Sequence, residues 1–97
     1  MGNTRVSKLP PGEILKTLYI EPLNLTITGL AEHLQTDRSG LSLIVNGKRS
    51  ISAEMAIKLS YAFDTTPEYW LNLQITYDLN IARKNKIPKI KRLVSKM

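Results

Sequence analysis

The sequence predicts an all-α domain of five short helices, and three observations carry that prediction. Apolar residues recur at three- and four-residue spacing from Ile14 to Ala82. Capping residues, prolines and an Asn-Gly pair interrupt the pattern at helix-sized intervals. No segment shows a convincing strand pattern. The 97 residues suit one core rather than two.

Helix 1 is expected from Pro11 or Gly12 to about Ile20, with Ile14, Leu15 and Leu18 inward. Pro22 restricts Glu21 and ends it. Helix 2 starts after Thr26, a favourable N-cap, and runs to about Leu34, although Gly29 stands where a capping box has Glu. Helix 3 is capped by Asp37, spans Arg38 to Val45 and stops at Asn46-Gly47. Helix 4 begins after Ser52 and runs to Phe63, burying Ala56, Leu59, Ala62 and Phe63. Helix 5 opens with Thr66-Pro67-Glu68, where Thr caps, Pro needs no partner for its nitrogen, and Glu complements the helix dipole. It continues to about Lys84, before Pro88. Its wheel carries two stripes: Trp70, Leu73, Tyr77 and Ile81, and nearly opposite them Leu71, Ile75, Leu79 and Ala82. One stripe suffices for the domain's own core, so the second predicts a partner.

Helices 2 and 3 carry the functional signal. Gln35-Thr36-Asp37 is too short for a wandering loop, so the apolar patches Leu30-Ala31-Leu34 and Leu41-Ile44-Val45 meet at a steep angle. That arrangement is a helix-turn-helix, whose second helix enters a DNA major groove while the first crosses the backbone. The expected boundaries are an arm over residues 1–10, the domain over 11–84 and a basic tail over 85–97.

Charge qualifies the DNA reading. The net charge is +6, but residues 83–97 hold seven of the fourteen Lys and Arg and none of the eight acids. Residues 83–97 therefore carry +7 and the remaining 82 residues −1. The basic total reports mainly on the tail, not on the helix-turn-helix.

Other function classes lack their residues. With no cysteine and a single histidine, His33, a metal site and a catalytic triad are not expected. His33 reads as a surface residue beside Glu32. Glu13, Glu21, Glu32, Glu54 and Glu68 lack paired spacing for acid–base work, and isolated glycines form no phosphate cradle. Trp70 and Tyr77, seven apart beside Leu73, read as core rather than a base-stacking pair. No enzyme activity, metal or cofactor is expected. No apolar run approaches 18 residues, which argues against a membrane span. MGNTRVSKLPPGE lacks the apolar run of a signal peptide, and Val6 departs from a myristoylation motif. The expected location is the cytoplasm.

PGEIL near the start, VNGKRSIS after the helix-turn-helix, and TPEYWLNLQITYDL resemble the HigA/VapI antitoxin family. This is a branch of the lambda-repressor-like, Xre-type DNA-binding proteins. The resemblance covers roughly Val6 to Ala82, and TPEYWLNLQ at this distance is its most specific part. It implies a five-helix lambda-repressor-like domain and a homodimer on palindromic, double-stranded operator DNA. It also implies a RelE-like ribonuclease toxin as protein partner, restrained while the pair represses its own operon. Two alternatives stand beside it: a stand-alone Xre-type repressor, and a protein-binding adaptor that has lost DNA contact.

The positions of helix 3 not needed for the core are Arg38, Ser39, Gly40, Ser42 and Leu43, the expected base-contacting set. In the resembling repressors, positions matching Arg38 and Ser39 meet base edges and that matching Leu43 meets a thymine methyl. Arg38 can bond guanine O6 and N7 bidentately. Gly40 either lets the backbone approach the groove or is a tolerated small residue. Asn46, Lys48 and Arg49 lie where such folds pass a phosphate strand; alternatively they are only a helix stop and a solvated turn. The relatives' frequent phosphate-binding Gln at the start of helix 2 is Ile27 here. Thr26, Thr28 or backbone N–H groups must replace it. Leu71, Ile75 and Leu79 are the expected dimer contact. The tail reads as a disordered cationic extension, a phosphate clamp, or a partner or dimer contact. The last is ranked first because Ile87, Ile90, Leu93 and Val94 interleave its bases. An amphipathic membrane segment is a weaker option, since Pro88 interrupts it.

Overall fold

The computed structural model describes residues 9–95, so most of the expected arm and Lys96 of the tail lie outside the described residues. Among the described residues there are five α-helices: α1 (Pro11–Leu15), α2 (Ile27–Leu34), α3 (Arg38–Val45), α4 (Ala53–Phe63) and α5 (Pro67–Lys84). A π-helical turn, Lys16–Ile20, continues α1 without a break. No strand occurs among the described residues.

Local chemistry sets these boundaries. Thr26, Asp37, Ser52 and Thr66 each accept a backbone N–H from three residues ahead, satisfying a donor that the first helical turn leaves free. At the end of α3, Gly47 takes φ +75° while Gly47 N–H bonds Ile44 O and Lys48 N–H bonds Leu43 O. That pair of bonds is a Schellman stop. The end of α2 makes the same pair, Gln35 N–H to Glu32 O and Thr36 N–H to Ala31 O, with Gln35 at φ 56°. A left-handed Gln is unusual, and Lys58 Nζ bonds its carbonyl at 3.0 Å from α4.

The core lies where α1, α3, α4 and α5 converge under α2, with Leu15, Leu41, Ala56, Leu59 and Trp70 fully enclosed. Trp70 Nε1 donates to Thr65 Oγ1 at 2.7 Å, and its ring meets Tyr19 and Tyr69 at centroid separations of 5.3 and 5.0 Å. Burial pushes the Tyr69 phenol up to about 12, with its hydrogen bond and charge interaction with Tyr19 adding to the shift. Gln74 is buried in α5, where its Nε2 donates to Asp78 Oδ1 at 3.0 Å and its Oε1 accepts Ile51 N–H at 2.8 Å. The amide thereby ties the α3–α4 loop to α5.

Four expectations about packing change. Leu18 is 56% exposed, while Ile20 is buried and Tyr19 half-buried in its place. A π turn advances each residue by less than the 100° of an α-helix, which swings Leu18 off the core face and Ile20 onto it. In α4, Met55 and Ser60 join Ala56 and Leu59 inside, whereas Ala62 and Phe63 are half-buried at the rim. Ile81 is exposed, because the core ends before the last turn of α5. Leu71 leaves the outer stripe in part: it is half-buried against the core, while Ile75 and Leu79 are 53% and 44% exposed. Beyond α5, residues 85–95 have no regular structure and are exposed.

Candidate nucleic-acid interface

α3 divides into two arcs. At 100° per residue, Arg38, Ser42, Asn46, Ser39 and Leu43 fall within about 140° of one another, and Gly40, Ile44, Leu41 and Val45 fill the opposite side. The burial pattern follows this division: the second group is buried, Ser42 is half-buried, and Arg38, Ser39, Leu43 and Asn46 are exposed. The outward arc is mostly polar and lies on an 8-residue helix whose N-terminus Asp37 caps.

Arg38 stands at the start of this arc. Its Nε donates to Thr28 Oγ1 at 2.8 Å, joining α3 to α2 on the solvent side of the turn. The bond leaves both terminal nitrogens of the guanidinium free for an acceptor pair. Thr28 thus fixes the Arg38 side chain with a hydrogen bond that Ile27, at the first position of α2, has no group to make. Thr26 is exposed as well, but its oxygen already accepts Gly29 N–H at 2.9 Å as the helix cap.

Two expected contact residues take different surroundings. Gly40 is buried, not on the outward arc. A Cβ there would lie 2.9 Å from both Asp37 Oδ2 and Arg49 Nη1, so the missing side chain makes room for Arg49 over the first turn of α3. Arg49, although exposed, thereby lines the cleft between the starts of α3 and α4, together with Asp37, Ser52 and Glu54. Lys48 is exposed beside Gly47 at the end of α3. Asn46 Nδ2 donates to Ser42 Oγ at 3.3 Å, which turns it back along the outward arc. His33 is on the surface, and Trp70 is core.

A residue that the sequence reading passed over seats the whole helix. Gly12 is buried where α1 crosses α3, and a Cβ on it would collide with the Ile44 carbonyl and the Val45 backbone. Its only sequence signal is a glycine in the first turn of a helix, where many residues are tolerated. Among the described residues, no group of three His, Cys, Asp or Glu side chains could hold a metal, and no helix is long and apolar enough to cross a membrane.

Comparison with known proteins agrees with this geometry. The family described as Helix-turn-helix matches residues 15–70. An uncharacterized HTH-type transcriptional regulator of Haemophilus influenzae is 51% identical over 77% of this chain and 70% of its own. The antitoxin HigA-1 of Vibrio cholerae is 39% identical over 81% of this chain and 74% of its own. Among solved structures, the antitoxin GraA in complex with its operator matches with a TM-score of 0.82 and 35% identity, covering 90% of this chain and 92% of that one. On these matches and the two-arc helix α3, the chain belongs to the HigA/VapI antitoxin family of Xre-type helix-turn-helix proteins.

Proposed function

We propose that the protein is an operator-binding antitoxin: a homodimer that represses its own operon and neutralises a RelE-like ribonuclease toxin. The DNA half rests on one observation above all, the Arg38 guanidinium held by Thr28 at the start of a mostly polar arc. In this reading Arg38, Ser39, Ser42 and Leu43 meet base edges. Thr28, Asn46 and Lys48 lie along phosphates, with Thr26 at the edge of that set and Arg49 reaching out from its cleft. Gly40 contributes space rather than contact. Two copies of α3 about 34 Å apart meet successive major grooves on one face of the duplex. The toxin half rests on kinship with proteins named antitoxins.

Gel-shift titrations at several salt concentrations test the DNA half. Arg38→Ala is expected to cost about 1–3 kcal/mol at the cognate operator and to relax discrimination at one base pair. Lys48→Ala is expected to weaken all sequences alike and to reduce the salt slope by about one unit. Unchanged affinity and specificity for Arg38→Ala would remove that residue from the reading head.

Kinship with a regulator not named as an antitoxin favours a second reading, a repressor without a toxin. A neighbouring reading frame of RelE-toxin size, whose product is toxic alone and harmless when co-expressed with this chain, decides for the antitoxin.

A further inference from the structure

The two ends of α5 carry opposite charge, the acid end on the outward apolar face. Glu68 lies seven residues before Ile75, about 20° away on the helical wheel, so it belongs to the face of Ile75 and Leu79. Beside it the α4–α5 corner opens into a shallow groove of about 510 Å³ that Ile57, Tyr61, Asp64, Pro67 and Glu68 line. Ile57 and Tyr61 are exposed, Tyr61 at 83%, and both charged residues of the groove are acids. At the other end of α5 come Arg83 and Lys84, then an exposed segment in which Lys86, Lys89, Lys91 and Arg92 alternate with Ile87, Ile90 and Leu93. Among the described residues no ion pair engages Asp64, Glu68, Arg83 or Lys86. The groove and the tail are therefore two exposed apolar surfaces of opposite charge, neither satisfied within one chain.

Lys86, two residues past the end of α5, stands a helix length from its own groove, which only the last residues of the segment could reach by folding back. The 18 residues of α5 span about 27 Å at 1.5 Å each, and the tail leaves from the far end. A second copy closes that gap. Pairing two outward faces antiparallel about Ile75 sets Leu71 against Leu79, Pro67 against Arg83, and Asp64 in line with Lys86, by equal steps along the chain. Parallel pairing sets Glu68 beside Glu68 and Arg83 beside Arg83, which repels at both ends.

We propose that two copies associate with their α5 helices antiparallel, and that the basic–apolar segment 86–94 of each copy lies in the acid-rimmed groove of the other. The proposal rests on the homodimer reading above and adds to it a direction and a use for the tail. Tyr61 and Ile57 receive the apolar side chains, while Asp64 and Glu68 face the lysines. The contact should therefore weaken with salt more than a purely apolar seam does.

Two full-length variants test it by sedimentation and native mass spectrometry. The groove variant is Asp64→Asn with Glu68→Lys; Asn keeps a residue suited to the φ of 54° at position 64. The tail variant is Lys86→Glu with Lys89→Glu, outside every helix. Each alone is expected to dimerise about tenfold or more weakly than the parent, because each places like charges together in two symmetric contacts. An equimolar mixture is expected to recover parental affinity as a heterodimer, since each groove then meets a tail of opposite charge. Circular dichroism identical to the parent shows that both variants fold. Weakened variants that do not recover on mixing would mean that each tail binds its own groove, which overturns the proposal. Variants as tightly dimeric as the parent overturn it too, with the homodimer intact. A parent that is monomeric at high micromolar concentration overturns the homodimer reading itself.

Discussion

α3 and α5 turn one side each to the same core, and they differ in what they leave outside. α3 keeps Leu41, Ile44 and Val45 within and presents Arg38, Ser39, Ser42 and Asn46 without, Leu43 being its one large apolar exception. α5 keeps Trp70 and Gln74 within and presents Ile75 and Leu79 without, with Leu71 at the border. A surface of hydrogen-bonding groups with one guanidinium suits a groove lined by donors and acceptors. A surface of aliphatic side chains has no use for such a groove, and its exposure to water favours another protein face. In the proposed reading the contrast gives the two helices different partners.

The contrast can be broken most strongly at Gly12, which sets how closely α3 approaches α1. Gly12→Ala places a methyl on the Ile44 carbonyl, a backbone atom that no side-chain rotation can relieve. The expected cost is about 3 kcal/mol, a fall of about 15 °C in the melting temperature. A melting temperature within a few degrees of the parent's would show that α1 can slide at little expense. The next effect sharpens the role of α5. Ile75→Asp buries an unpaired carboxylate in any seam formed by the outer face, so dimerisation should weaken about a hundredfold or more in a chain that remains folded. A variant still fully dimeric by sedimentation moves the interface elsewhere. The equivalent change on α3, Ser39→Asp, should leave dimerisation alone and weaken DNA binding only.

The smallest effect concerns the inner side of α5. Tyr69 is held protonated to about 12, whereas a free phenol ionises near 10.0. Below pH 10 both folded and unfolded chains carry the proton, and its contribution to stability is complete. As pH rises from 10 towards 12 the unfolded chain ionises first, so stability falls across that window. Denaturant titrations at several alkaline pH values should show the fall in the parent, and Tyr69→Phe should diminish it. An equal slope in the variant would assign the alkaline loss to other groups.

Helix boundaries were legible in the sequence because their causes lie within three or four residues. A Thr, Ser or Asp side chain needs only the N–H three positions ahead, and Gly47 needs only its own φ. The same range explains why the apolar side of α3 and the outward Ile75 and Leu79 of α5 could be read from spacing. Tertiary structure decided what depends on partners distant in the chain. Gly40 is buried because Arg49 lies over it, and Gly12 is required because α3 lies against it. Gln74 is buried because Ile51 needs an acceptor, and Leu18 turns outward because a π register brings Ile20 to the core. Thr28 and Arg38 show both ranges at once: spacing set each on the solvent side of its helix, but only the angle between the helices brought Oγ1 within 2.8 Å of Nε.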